Sequence, residues 1–159
     1  MKTADLFRLD GKVALVTGGG RGIGKFIATG LAEAGAKLVI ASRKMKNLEA
    51  AAAEIRKACG VEVLPVACDV AKEEDIDGLV KAALERFGRI DILVNNAGAT
   101  WGAPTLKFPL ERWDQMFSVN VRGVWILSQK VAGVMKAQGG GNIINISSIM
   151  GFRGSDEAL

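Results

Sequence analysis

The stretch VALVTGGGRGIG, residues 13–24, decides the fold. Its first half is apolar, rich in valine and of strand length, the composition of a strand buried on both faces. Its second half is a glycine loop. Beyond it Ile27, Leu31 and Ala34 recur at helical spacing and predict a helix from about Ile23. A strand, a glycine loop and a helix in that order bring backbone N–H groups and a helix N-terminus to one point, where a phosphate can be received. The spacing is TGxxxGxG, with Gly18, Gly22 and Gly24 as its glycines, and it departs from GxGxxG. The phosphate loop of nucleotide triphosphatases also fits from Gly19 as far as Lys25. It then meets Phe26, which lacks the hydroxyl that would hold magnesium.

Working outward, strand-like and helix-like stretches alternate. KLVIAS (37–42) reads as a second strand, and Met45, Leu48, Ala52 and Ile55 as the buried stripe of the helix after it. VEVLPVA (61–67) reads as a third strand, with Pro65 favouring an edge. Glu73, Glu74 and Asp75 crowd the first turn of the next helix, where the dipole favours anions, and Ile76, Leu79, Val80, Ala83 and Phe87 form its apolar face. DILVN (91–95) is a fourth strand. A long helical pattern follows through Trp113, Phe117, Val124, Val131 and Met135 to the glycines at 139–141, and NIINIS (142–147) is a fifth strand. Such alternation implies an α/β fold, a doubly wound parallel sheet covered on both faces except beside the last strand.

Composition narrows the chemistry. At 159 residues, 49% hydrophobic and 24% charged, the chain suits one soluble globular domain. There is no histidine, which removes Ser-His-Asp and Cys-His nucleophilic sites and His-ligated zinc. Cys59 and Cys68 have no metal-ligand spacing and read as small apolar residues in a reduced compartment, so no metal site is expected. No apolar run approaches the roughly 20 residues needed to cross a bilayer, and the N-terminus has no signal-peptide core, so a cytoplasmic protein without a membrane partner is expected. The net charge of +4 is spread along the chain except for RKMK at 43–46. Without interleaved stacking aromatics, nucleic acid is not an expected partner.

Four motifs stand in order on the elements just described: TGGGRGIG (17–24), NNAG (95–98), SVNVRG (118–123) and NIINISS with SIMG (142–151). Together they resemble the short-chain dehydrogenase/reductase family over essentially the whole chain, in the manner of its 3-oxoacyl reductase and gluconate 5-dehydrogenase-like members. The resemblance implies a single dinucleotide-binding Rossmann domain over 1–159. Of the cofactor-binding residues it implies, Gly18, Gly20, Arg21, Gly22 and Gly24 would cradle the pyrophosphate, with Ile23 closing over it and Thr17 fixing the turn. Asp69 would bind the adenine, with Val70 beside it; its local reading, a helix N-cap or turn former, is compatible with that role. Asn96 would contact the ribose side, Gly98 would serve backbone geometry, and Asn95 is expected to tie neighbouring strands together. Where an acidic residue would accept the 2′-hydroxyl of NAD, the chain carries Ala41, Ser42, Arg43 and Lys44. Ser42 and Arg43, with Arg21, therefore favour NADP(H) over NAD(H), because a guanidinium pairs with a 2′-phosphate. Lys44 and Lys46 read as a solvated helix face.

The family's catalytic set is Asn, Ser, Tyr and Lys, and the resemblance assigns Asn120 and Ser148 to the first two, leaving Ser147 as a structural hydroxyl. The tyrosine–lysine pair has no counterpart. The chain contains no tyrosine, and Lys25, Lys130 and Lys136 lie on the wrong elements. This implies the N-terminal portion of an oxidoreductase acting on a small carbonyl or alcohol substrate, truncated after the fifth strand and inactive or nearly so by itself. The full-length form would be a homo-oligomer, a dimer or tetramer. A non-catalytic NADP(H)-binding or interaction module is the alternative. Trp101 and Phe108, in the loop after the fourth strand, are possible apolar walls for a small ketone, a sugar ketone or a 3-oxoacyl group.

Overall fold

A computed structural model describes residues 3–151. The segment 152–159, where the sequence reading placed the curtailed end, lies outside the described residues. Five strands, β1 (Val13–Thr17), β2 (Lys37–Ser42), β3 (Val63–Ala67), β4 (Ile92–Asn95) and β5 (Asn142–Asn145), form one parallel sheet in the order β3-β2-β1-β4-β5. The order reverses between β1 and β4, so the loops leaving the C-terminal ends of those two strands diverge and open a crevice between them. This is a Rossmann-like sheet, as the alternation predicts, and Pro65 sits on the edge strand β3. There its missing N–H costs no central ladder bond.

Period-two alternation sorts the core into two layers. Val13 and Leu15 of β1 face one side of the sheet together with Val39, Ala41 and Leu93. They pack with Ile76, Leu79 and Ala83 of helix α3 (Glu73–Phe87) and with Leu127, Val131 and Met135 of α5 (Val124–Ala137). Ala14, Val16, Leu38 and Ile40 face the other side, under Ala28 and Ala32 of α1 (Gly22–Glu33) and Leu48, Ala52 and Ile55 of α2 (Met45–Cys59). The buried row of α1 is Gly24, Ala28 and Ala32, while Ile27 and Leu31, expected on the core face, pack from the flank and Ala34 is the C-cap. Small residues win that row because α1 lies close against the glycine loop. Met45 is 37% exposed, and Ala51 takes its place in the stripe of α2. Both α2 and α3 end on a left-handed glycine, Gly60 (φ 70°) and Gly88 (φ 72°), whose N–H returns to Arg56 and Leu84.

The single long helix expected after β4 is interrupted. Helix α4 (Leu110–Phe117) passes into a π-helical turn, Ser118–Gly123, and then into α5. One wide turn shifts the face that points at the core, so Val131 and Met135 are buried whereas Trp113 and Phe117 are not. Those two rings stack on each other instead, 4.6 Å between centroids. β5 is exposed along its length, as expected for a strand without a covering helix among the described residues.

Candidate functional site

The crevice is built on the loop from β1 to α1. Gly18 (φ 69°) and Gly22 (φ 54°) turn it through left-handed backbone, and the N–H groups of Gly18 and Gly19 donate to the Ala41 carbonyl at 2.7 and 3.2 Å. Gly24 admits the closest approach. A Cβ there would lie 2.3 Å from the Gly18 carbonyl oxygen and 2.4 Å from the Asn96 amide nitrogen. Thr17 stitches this loop to the end of β4. Its Oγ1 accepts from the N–H groups of Asn96 and Ala97, both at 3.0 Å, and its carbonyl accepts from Asn96 Nδ2 at 2.9 Å. The Asn96 amide thus lies between the two loops. Neighbouring Asn95, buried, donates to Ser128 Oγ and Asn145 Oδ1 at 2.9 Å each, joining β4 to α5 and β5 in the strand-tying role expected of it.

Above these loops lies a cavity of about 740 Å³. Every residue expected to bind a dinucleotide lines it except Thr17, which supports it from below: Gly18, Gly20, Arg21, Gly22, Ile23, Gly24, Ser42, Arg43, Asp69, Val70, Asn96 and Gly98. Arg21 and Arg43 stand exposed at one end together with Lys44, which lines the cavity and is more than a solvated helix residue. None of the three forms an ion pair among the described residues, so positive potential is concentrated there. Lys25 does not join them, because its ammonium is paired with Glu54 across α1 and α2. That takes away the lysine a triphosphatase loop would need.

Asp69 forms a turn. Its Oδ1 accepts from the Ala71 N–H at 3.1 Å, its own N–H donates to Asp75 Oδ2 at 2.8 Å, and the N-cap of α3 is Lys72. Of its two local readings, the turn former is therefore the observed one. Cys68 beside it is buried, and burial, with the charges of Asp75 and Asp69, pushes its thiol up to about 12. A thiol of that kind is a wall and not a nucleophile.

One wall is not apparent from the motifs. Arg112, Gln115, Met116 and Val119 line the cavity from α4 and the π turn at spacings of three, one and three, which is one helical face. Trp101 lines it from the loop after β4, whereas Phe108 does not. The helical spacing of the four was readable in the sequence; which face of α4 meets the crevice was not.

Neither of the residues expected to be catalytic lines this cavity. Asn120, exposed on the π turn, holds the backbone of Ala99, Oδ1 accepting from its N–H at 2.8 Å and Nδ2 donating to its carbonyl at 2.7 Å. Ala99 itself lines the cavity. Ser148 follows β5 in an exposed turn, its Oγ accepting from the Met150 N–H at 3.2 Å.

A family model described as short chain dehydrogenase matches residues 12–158. The 3-oxoacyl-[acyl-carrier-protein] reductase of Synechocystis is 41% identical over 148 residues, 92% of this chain and 60% of that protein. A gluconate 5-dehydrogenase from Burkholderia cenocepacia, solved with NADP and tartrate, superposes with a TM-score of 0.91 at 40% identity, covering 99% of this chain and 61% of the other. An NAD⁺-bound xylitol dehydrogenase superposes at 0.88 with 36% identity, covering 92% and 56%. The chain spans about 60% of the length of the curated relatives it matches.

Proposed function

The chain belongs to the short-chain dehydrogenase family, and from that premise we propose that it is the cofactor-binding part of an NADP(H)-dependent oxidoreductase acting on a small carbonyl or alcohol substrate. The observation that carries the reading is the cradle formed by Gly18, Gly22 and Gly24, in which a Cβ on Gly24 would fill the turn while Gly22 opens toward solvent. Its fit is to a pyrophosphate, since the N-cap residue of α1, Arg21, makes no side-chain capping bond and the first N–H groups of the helix can turn to an anion. NADP(H), when bound, supplies the hydride donor or acceptor. Relatives solved with NADP and with NAD⁺ both superpose well, so the preference rests on this chain's own residues. Arg43, Arg21 and Lys44 with Ser42 offer a 2′-phosphate a cationic seat, and the end of β2, residues 41–44, carries no carboxylate to receive a 2′-hydroxyl. Asp69 and Val70 would take the adenine end, and Asn96 and Gly98 would flank the ribose.

Ser148 would donate to the substrate oxygen, and Asn120 would hold a water of the proton path. The 159 residues contain no tyrosine to exchange the proton, so this polypeptide by itself is expected to bind cofactor without turning over. Fluorescence titration of the 159-residue polypeptide with NADPH and NADH tests the reading. Binding of NADPH about tenfold or more tighter than NADH is expected for one forked phosphate pair. Equal or reversed affinities would remove the NADP(H) assignment, and ketone-dependent NADPH oxidation by this polypeptide would remove the claim that it lacks turnover.

A further inference from the structure

Arg112 has an arrangement that the motifs do not explain. Its guanidinium lies 4.1 Å from the centroid of the Trp101 ring, and its Nη1 donates to Gln115 Oε1 at 2.8 Å. It forms no ion pair with a described residue, although Glu111 and Asp114 flank it on the same helix. A planar cation fixed on an aromatic face and hydrogen-bonded at its edge keeps one flat face available. That group lines the same cavity as the glycine loop.

The π turn fixes where this face of α4 stands. A Cβ on Gly123 would lie 2.3 Å from the Val70 carbonyl oxygen, so the helix backbone rests directly on the loop after β3. From there α4 rises with Val119, Met116, Gln115 and Arg112 on the cavity side, Arg112 about 10 Å further along the axis than Val119. Buried Cys68 and Val70 and half-buried Met116 and Val119 give this cavity apolar walls, and Asp69 and Gln115 add polar atoms to its lining. A slot with apolar walls and a few polar atoms suits a flat heterocycle better than a phosphate.

We propose that Arg112, braced by Trp101 and Gln115, is a cofactor-binding residue that stacks over the adenosine end of the dinucleotide, within the cavity that it shares with Asp69 and Val70. The proposal rests on the dinucleotide reading above and adds to it a contact common to NADP(H) and NAD(H). Its role differs from that of Arg43, whose partner would be the 2′-phosphate that only NADP(H) carries. It also differs from a bare charge, because an ammonium has no flat face to lay on a ring.

The test is to titrate the wild-type chain, Arg112→Gln, Arg112→Lys and Arg43→Gln with NADPH and with NADH. Arg112→Gln is expected to weaken both cofactors by a similar factor of about three to ten, between an exposed and a fully desolvated cation on a π face. Arg112→Lys should restore little of this, and Arg43→Gln should weaken NADPH alone. Unchanged affinities in Arg112→Gln would overturn the proposal while leaving the dinucleotide reading intact. Selective loss of NADPH in Arg112→Gln, or full recovery with lysine, would make the residue a phosphate or charge contact and also overturn it. A wild-type chain that binds neither cofactor would remove both readings together.

Discussion

Asn120 grips the backbone of Ala99 with both ends of its amide, at 2.8 and 2.7 Å across 21 positions of chain. An exposed side chain on a π turn thereby sets the path of the loop that walls the cavity. We predict that Asn120→Ala loosens residues 99–101, with a stability loss of about 1–2 kcal/mol for two net hydrogen bonds. Asn120→Asp should do worse, since a carboxylate oxygen would face the Ala99 carbonyl. Amide hydrogen exchange at Ala99 and Thr100 reads the effect; protection equal to wild type in both variants would show that the loop is held by other contacts.

Gly24 and Gly22 make a contrasting pair. Alanine at Gly24 must drive a Cβ into the Gly18 carbonyl, which is backbone, and into the Asn96 side-chain amide, which is held by the Thr17 carbonyl. Gly24→Ala is therefore predicted to abolish measurable NADPH binding and lower the melting temperature. Alanine at Gly22 meets nothing within 4 Å and suffers only the left-handed backbone, about 1–2 kcal/mol. Retained cofactor affinity in Gly24→Ala would show that the cradle is softer than this.

Gly123 bears on the π turn in the same way. A methyl group there would meet the Val70 carbonyl oxygen at 2.3 Å and push the π turn, with α4, away from the loop after β3. The expected outcome for Gly123→Ala is a weaker dinucleotide affinity together with increased exchange in residues 118–123. A crystal structure of the variant with α4 unmoved would refute it.

Asp91 gives the fold an acid limb. Its carboxylate, almost buried, is subject to burial, which raises its pKa, but the Arg89 fork at 2.8 and 2.6 Å, the Val13 N–H at 3.0 Å and the charge of Lys12 prevail and hold it below 3.8. A carboxyl whose folded pKa is depressed stabilises fully above its unfolded value and loses that contribution as pH falls through the folded one. Asp91→Asn is predicted to destabilise the chain at pH 7 and to flatten the stability loss below about pH 5, where the unfolded carboxyl begins to protonate. Urea denaturation midpoints between pH 2.5 and 7 measure both, and parallel wild-type and variant curves would count against Asp91.

Much of this molecule is local and could be read along the chain. Short apolar runs bounded by glycine specify buried strands, Pro65 specifies an edge because it lacks a donor, and TGGGRGIG specifies a turn that only glycines can make. The cavity residues of the glycine loop, of the end of β2 and of the NNAG turn follow from those same local demands. Tertiary structure alone decided matters in which residues distant in sequence compete for one space. The stripe through Trp113 and Phe117 has helical spacing but points outward, because the π turn at 118–123 rotates the face that α5 buries. Asn120 holds a loop 21 positions away, and Arg112 stands over the crevice only because Gly123 lets its helix rest on Val70. Periodicity establishes that a helix has a face; steric contact between elements selects which face meets the sheet and which meets the cavity.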